Sequence, residues 1–433
     1  MENKQIKSFK VATITIGLIM LMVYIATLFI EGCHLSISKF LLSPLLVLGA
    51  NGSATIIAVI IFLLIIGGVT NTLNECGFIE YLLNKLVGIY GDQKYKLMYV
   101  LVFFFMALGS LIGSFEEVVP LVPLVVALSM KLGFDECLGV GMSLLAVGCG
   151  FAAGVFNPFT IGVAQSLANL PMFSGVSLRL LSFILIYLLL TAFLRYKAKG
   201  CEKDMHHLDL LFGVDPNKDR AILTFGTILI IGFICVLSSP FIKVLQDYTM
   251  IIIALCFLIG GSMASFISGL DLKTFGKSFL KGVIDVAPSI LLILMASSIR
   301  FLMEESGMIN IVLDKATSIA GNLNNVGLIL FIYLLCLILE IFVPSGSAKA
   351  FLLIPIITPL AAKFGISSQL CILAYAFGDG FSNVLYPTNP ALLISLGLIQ
   401  MDYKKWFKWS VSFQLLNLLL TSSILLLGLF IGY

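Results

Sequence analysis

Charge is what this sequence most lacks. Lys, Arg, Asp and Glu make up 11% of its 433 residues, against about 25% in a soluble globular domain. That shortage excludes an ordinary water-soluble fold. Histidine is scarcer still: His34 and the pair His206–His207, all outside the apolar runs. The nine cysteines stand singly, with no CxxC and no Cys/His spacing, so neither a zinc site nor a disulfide framework is indicated. There is no HExxH. The GKS at Gly276 lacks the leading glycine of a phosphate-binding loop, because Asp271 holds that place. A metallopeptidase and an ATP-driven pump therefore lose their signatures. Alternating segments of about ten residues, the mark of a transmembrane β-barrel, are missing too.

What is present is apolar. Hydrophobic residues make up 60% of the chain, many in runs of about 18 or more, long enough to cross hydrocarbon. The chain reads as an all-α polytopic membrane protein. Runs fall near 11–30, 53–70, 97–112, 118–130, 138–154, 159–170 and 178–194. After the hydrophilic RYKAKGCEKDMHHLDLLFGVDPNKDR they resume at 221–238, 250–267, 284–302, 326–343, 350–362, 368–377, 390–398 and 409–431. The first run ends in LFIEGCH without a small-x-small cleavage site and reads as a retained helix.

The two halves are related. A shift of 232 residues lays Pro123 on Pro355, Lys131 on Lys363, Gly133 on Gly365, Gly148 on Gly380 and Asn157-Pro158 on Asn389-Pro390. Leucine matches are cheap in such a composition; two prolines, an Asn-Pro pair and a Lys-x-Gly in one frame are not. The expected organisation is a first repeat over 1–195, a cytoplasmic loop and linking helix over 196–240, and a second repeat over 241–433. Duplicated halves with Gly/Pro-interrupted segments at matching positions point to a secondary transporter and its binding site.

Lys and Arg placement sets the orientation. Lys4, Lys7 and Lys10 put the N-terminus in the cytoplasm. Lys94 and Lys96 before GSFEE, and Lys131 after it, put both flanks on the same side. Residues 94–132 therefore read as a re-entrant hairpin, followed by a broken helix over 138–170. Carrying the alternation forward makes 325–363 a second hairpin, entering from the opposite face, and 368–398 a second broken helix. The total is about nine transmembrane helices, two hairpins and two broken helices in an inverted-topology repeat. NECGFIEYLLNKLVG and EESGMINIVLDKATS, ahead of each hairpin, look suited to the interface.

Four helix interruptions are thus expected at membrane depth: GSFEE, VPSGSAK, GVFNPFT and GDGFSNVLYPTNP. Irregular backbone there is tolerated only inside protein or along a wet cavity. Ser114-x-x-Glu117 reads as a capping box, which leaves Glu116 unexplained. A charge at mid-depth costs about 3 kcal/mol on insertion scales and usually marks a pathway or site. Lys349 either snorkels to the surface or meets a carboxylate. Asp379 is a second acidic candidate; Asn157, Asn383 and Asn389 either ligate or cap. Glu340 and Arg300 read as a scaffold pair or as interfacial groups. The substrate-binding candidates are Glu116, Glu117, Asn157, Ser345, Gly346, Ser347, Lys349, Asp379, Asn383, Thr388 and Asn389.

GSFEEVVPLVPLVVAL, GFAAGVFNPFTIGVAQSLANLPMFSGVSLRL, VPSGSAKAFLLIPIITPLA and FGDGFSNVLYPTNPALL, in that order, resemble the YfcC family, the four-carbon dicarboxylate anaerobic carrier-like group of the ion transporter superfamily. The resemblance implies an elevator-type carrier, commonly a homodimer. Its scaffold holds still while hairpins and broken helices carry the substrate. It implies no cofactor, with sodium or a proton as coupling ion, and places sodium near Ser114 with Asn157 and near Ser345 or Ser347 with Asn383 or Asn389. Two glutamates at one tip suit an amino group or guanidinium, while Lys349 and amides suit a carboxylate. A basic or zwitterionic amino acid fits both better than a four-carbon dicarboxylate, the alternative substrate. Expected partners are the solute and the lipids of the cytoplasmic membrane, with no nucleic acid and no enzymatic activity. An ion channel, the rival class, would show a continuous polar lining instead of four matched breaks.

Overall fold

The computed structural model describes residues 2–50, 53–90, 93–113, 115–171, 173–201, 215–238 and 248–433. Among these residues the secondary structure is helical, with no strand. That is what a bilayer demands of an open chain, since a helix satisfies its own backbone polar groups where no water can.

The first half runs α1 (Glu2–Phe29), α2 (Ile37–Leu46), α3 (Ser53–Glu75), α4 (Phe78–Tyr90), α5 (Lys94–Ile112), α6 (Val122–Lys131), α7 (Glu136–Ala153), α8 (Val163–Leu167) and α9 (Val176–Cys201). The second runs α10 (Pro216–Leu237), α11 (Thr249–Ile267), α12 (Leu272–Val286), α13 (Pro288–Glu305), α14 (Met308–Ala320), α15 (Asn325–Glu340), α16 (Gly346–Ala362), α17 (Ser368–Gly380), α18 (Pro390–Leu398) and α19 (Tyr403–Ile431). Six helical stretches among the described residues are long and apolar enough to cross a membrane. The DLKTFGKSFLKG segment, which separates the apolar runs 250–267 and 284–302, lies largely in α12. Asp271 caps that helix by accepting from the Lys273 and Thr274 amides.

Burial shows where the centre lies. Of the membrane-length stretch in α7, 94% is buried inside the protein, against 28% for α19. Leu419 and Phe430 on α19 are exposed, as lipid-facing residues would be. α7 and α17 pack on each other. α5 packs against α7, and α15 against α17.

Helices in hydrocarbon gain little from excluding water and associate through close backbone approach instead. Glycines supply it here. A Cβ on Gly150 would lie 1.9 Å from the Met106 carbonyl oxygen, and one on Gly109 would lie 2.2 Å from that of Val147. Gly380 backs onto Ala152, and Gly148 onto Val384 and Phe115. Those two glycines, 232 residues apart, each meet the opposite broken helix.

Packing around the periphery is reciprocal. α11 and α12 lie on α3, while α1 and α2 lie on α13. α16 touches α8, and α6 touches α18.

Candidate functional site

Each interruption is built by the same local device. Asp135 caps α7 through the Leu138 amide, and Ser367, 232 residues further on, caps α17 through that of Leu370. α7 stops at Gly154, whose left-handed backbone (φ +51°) ends the helix. After the break, Asn157 Oδ1 accepts from the Thr160 amide at 3.1 Å, and a π turn over Pro158–Gly162 leads into α8. α17 stops at Gly380, and a 3-10 turn over Ser382–Val384 follows. Asn389 Oδ1 then accepts from the Leu392 amide at 3.2 Å, starting α18. Asn supplies the missing acceptor, and Pro in the next position has no amide to leave unpaired.

Unwound carbonyls buried this far from water need donors. At the second break α19 provides three: Gln414 Nε2 to Phe381, Trp406 Nε1 to Val384 and the Tyr403 hydroxyl to Leu385. Ser382 Oγ donates to the Gly378 carbonyl and Asn383 Nδ2 to that of Asp379; Asn389 Nδ2 donates to Asn383 Oδ1. At the first break Arg179, 1% exposed, donates to the carbonyls of Val155, Phe173 and Ser174. Ser110 Oγ accepts from the Val155 amide. Sequence reading missed Arg179 and the α19 donors. A lone arginine within a largely apolar helix was the available signal for the first.

The second hairpin carries the charges. Lys349 has its side chain fully buried; it donates to Glu340 Oε2, and its Nζ lies 2.8 Å from Asp379 Oδ1. The three residues come from the first turn of α16, the end of α15 and the end of α17. One ammonium therefore ties both arms of the hairpin to the helix that is about to break. The Tyr375 hydroxyl adds a hydrogen bond to the Gly346 carbonyl, and Gly346 sits against Asp379 Oδ2 and Thr160. Two carboxylates face one cation. Glu340 Oε1 and Asp379 Oδ2 make no hydrogen bond within the protein. Buried groups of this kind are tolerated only in pairs, since desolvating each ion costs several kcal/mol.

Lys349 therefore does not snorkel. Glu340 and Arg300, read as a scaffold pair or as interfacial groups, do not pair with each other: Glu340 joins Lys349, and Arg300 bonds Glu304 one turn away on α13. Side-chain reach along the helix made the nearer acid the better partner.

Asn157, Asp379, Asn383, Thr388 and Asn389 are buried around the two breaks. Ser345 flanks α16 without a side-chain cap bond, and Ser345, Gly346 and Ser347 are half-buried. Thr160 Oγ1 and Thr388 Oγ1 are buried without a hydrogen-bond partner in the protein. Glu116 and Glu117 lie in a 3-10 turn over Glu116–Leu121, but their side chains are outside the described residues, as is the whole of Ser114. The expected capping box and the sodium ligand Ser114 fall there. No cluster of three or more metal-binding side chains occurs among the described residues.

Comparison with known proteins covers nearly the whole chain. The sequence profile of the C4-dicarboxylate anaerobic carrier family matches residues 36–431. A protein of Escherichia coli K12 named as a basic amino acid antiporter, YfcC, is 28% identical over 397 residues, covering 86% of this chain and 78% of its own. An uncharacterized protein of Haemophilus influenzae is 26% identical over 389 residues, covering 87% and 76%. Among solved structures, the YdaH transporter of Alcanivorax borkumensis aligns with a TM-score of 0.49 at 19% identity, over 87% of this chain and 85% of that one.

Proposed function

The chain belongs to the C4-dicarboxylate anaerobic carrier family of membrane transporters, and from that premise we propose that it is a secondary active transporter of the elevator type in the cytoplasmic membrane. Its two halves are an inverted repeat of about nine crossings, two re-entrant hairpins (94–132 and 325–363) and two broken helices (138–170 and 368–398), working as a homodimer. The solute is a small amino acid or carboxylate, with a basic or zwitterionic amino acid favoured. Glu116 and Glu117 at one tip, Ser345 to Lys349 at the other, and Asn157, Asp379, Asn383, Thr388 and Asn389 at the breaks surround it.

One observation carries this reading: both helix breaks, each started again by an Asn cap, lie against one another in the most buried part of the protein. That is where discontinuous helices put a midplane binding site. The polar contacts support the orientation. Lys85–Asp219 and Lys405–Glu136 join residues expected on the cytoplasmic face. Lys39–Glu305 and Tyr433–Gly175 join residues expected on the outer face.

Charge favours a cationic solute over a dicarboxylate. Lys349 is already held by two carboxylates and Arg179 by three carbonyls. At the second tip two carboxylates, Glu340 and Asp379, face one ammonium, and that excess of one negative charge suits a positive group. A name as basic amino acid antiporter, borne by the E. coli relative, agrees. The family description favours a four-carbon dicarboxylate instead. Counterflow in proteoliposomes separates the two. Vesicles preloaded with arginine or ornithine should accumulate labelled arginine, and succinate should not compete. Exchange of succinate alone would overturn the amino acid assignment.

A further inference from the structure

We propose that Lys349 is a resident cation: its ammonium fills a carboxylate cradle that would otherwise take a dissociable alkali cation, so the second hairpin closes without sodium. Of its two readouts, only transport rests on the carrier reading.

The geometry carries the argument. Glu340, Lys349 and Asp379 join three separate elements at the point where the hairpin tip meets the end of α17, and their side chains are 0–1% exposed. Two carboxylates converging from different helices on one buried point form a receptor for a positive charge, and an isolated anion there would be prohibitively costly. An ammonium four residues into α16 lies near a helix N-terminus, which disfavours cations. The carboxylates, not the helix, hold it.

Most other oxygens at this tip already accept a hydrogen bond. Asn383 Oδ1 accepts from Asn389 Nδ2, and Asn389 Oδ1 caps α18. Carbonyls of Gly346, Gly378, Asp379, Phe381, Val384 and Leu385 each accept a side-chain donor. Sodium prefers a shell of several free oxygens, as hard cations do. The unbonded carboxylate oxygens here, Glu340 Oε1 and Asp379 Oδ2, belong to the two groups that already grip the lysine, and the Thr160 hydroxyl beside them adds one neutral oxygen. Removing the ammonium would leave two carboxylates around a cavity of side-chain size, and a small cation could then enter.

Thermal unfolding of purified wild type and Lys349→Ala, in sodium, potassium and choline chloride, tests this without any solute. Wild type should melt at one temperature in all three salts. The variant should melt lower in choline and regain about 3 °C or more in sodium or potassium. A variant unmoved by either alkali ion, or a wild type stabilised by sodium as much as the variant, overturns the proposal. Should Lys349→Ala not fold, Lys349→Ala/Glu340→Gln keeps one cradle carboxylate and undergoes the same comparison. Wild-type counterflow should change by no more than about twofold when choline replaces sodium, whereas a coupled cation would change it by about tenfold or more. Sodium-dependent counterflow would sink the resident cation and leave the carrier standing. Absence of exchange with every probe would sink the carrier reading, while the melting comparison would still decide the cation.

Discussion

Lys349 Nζ lies 2.8 Å from Asp379 Oδ1, and this contact joins the second hairpin to the end of a helix that unwinds within two residues. Glu340 completes the group from the other arm. Three ionisable residues thereby become one structural unit, and its charge count orders the first set of outcomes.

Lys349→Met leaves two buried carboxylates without a cation and should destabilise the protein by about 3–5 kcal/mol. Asp379→Asn leaves a balanced Lys349–Glu340 pair and should cost about 1–2 kcal/mol, the range for one altered buried hydrogen-bonding group. Denaturant unfolding in detergent measures both. The opposite order would show that the pair with Asp379, not the charge count, dominates.

Gly150→Ala should be disruptive although it adds one methyl group, because that methyl would sit 1.9 Å from the Met106 carbonyl oxygen. Backbone cannot yield as a side-chain tip does, so a loss of about 1–3 kcal/mol is expected. Gly276→Ala on α12 meets nothing within 4 Å and should stabilise by about 0.5–1 kcal/mol through helix propensity. Equal melting temperatures for the two would contradict the close α5–α7 approach.

Glu116→Gln should abolish or uncouple transport while leaving the folded protein intact, judged by an unchanged gel-filtration profile beside a loss of counterflow. Unaltered uptake kinetics would remove Glu116 from the solute path.

At the start of α10, Asp219 accepts from Lys85 and from the Tyr81 hydroxyl, and these bonds hold its carboxyl below the ordinary 3.8. The same contact holds Lys85 above 10.5. For Asp219 the contribution is complete above pH 3.8 and is lost as pH falls through its depressed value. For Lys85 it is complete below 10.5 and is lost as pH rises through its raised value. Tyr81→Phe should therefore weaken chiefly the acid limb of a stability–pH profile, whereas Lys85→Met should flatten both. An acid limb that Tyr81→Phe leaves unchanged would detach Asp219 from it.

Single cysteines placed at the flanks of the hairpins should label from opposite faces: those beside Lys94 and Lys131 from the cytoplasm, those beside Asn325 and Lys363 from outside. Same-side labelling would refute the inverted arrangement.

Chemistry settled by near neighbours was legible in the sequence. Apolar run length marked the helices, because hydrocarbon thickness sets a length that any one segment meets alone. Asn157 and Asn389 sit three residues before the amides they cap, a spacing that requires no knowledge of the rest of the chain. The segments NECGFIEYLLNKLVG and EESGMINIVLDKATS form the helices α4 and α14. α12 was harder to recognise, since lysines on one face dilute an apolar run while leaving a helix intact. Partners across space were hidden. Nothing local joins Lys349 to Glu340 nine residues back and Asp379 thirty ahead, or Trp406 to the Val384 carbonyl. Those contacts depend on how Gly150, Gly378 and Gly380 let backbones approach. Packing of that kind is a property of surfaces meeting, so the sequence determined where helices run and break, and the tertiary structure alone decided which charges and carbonyls answer one another.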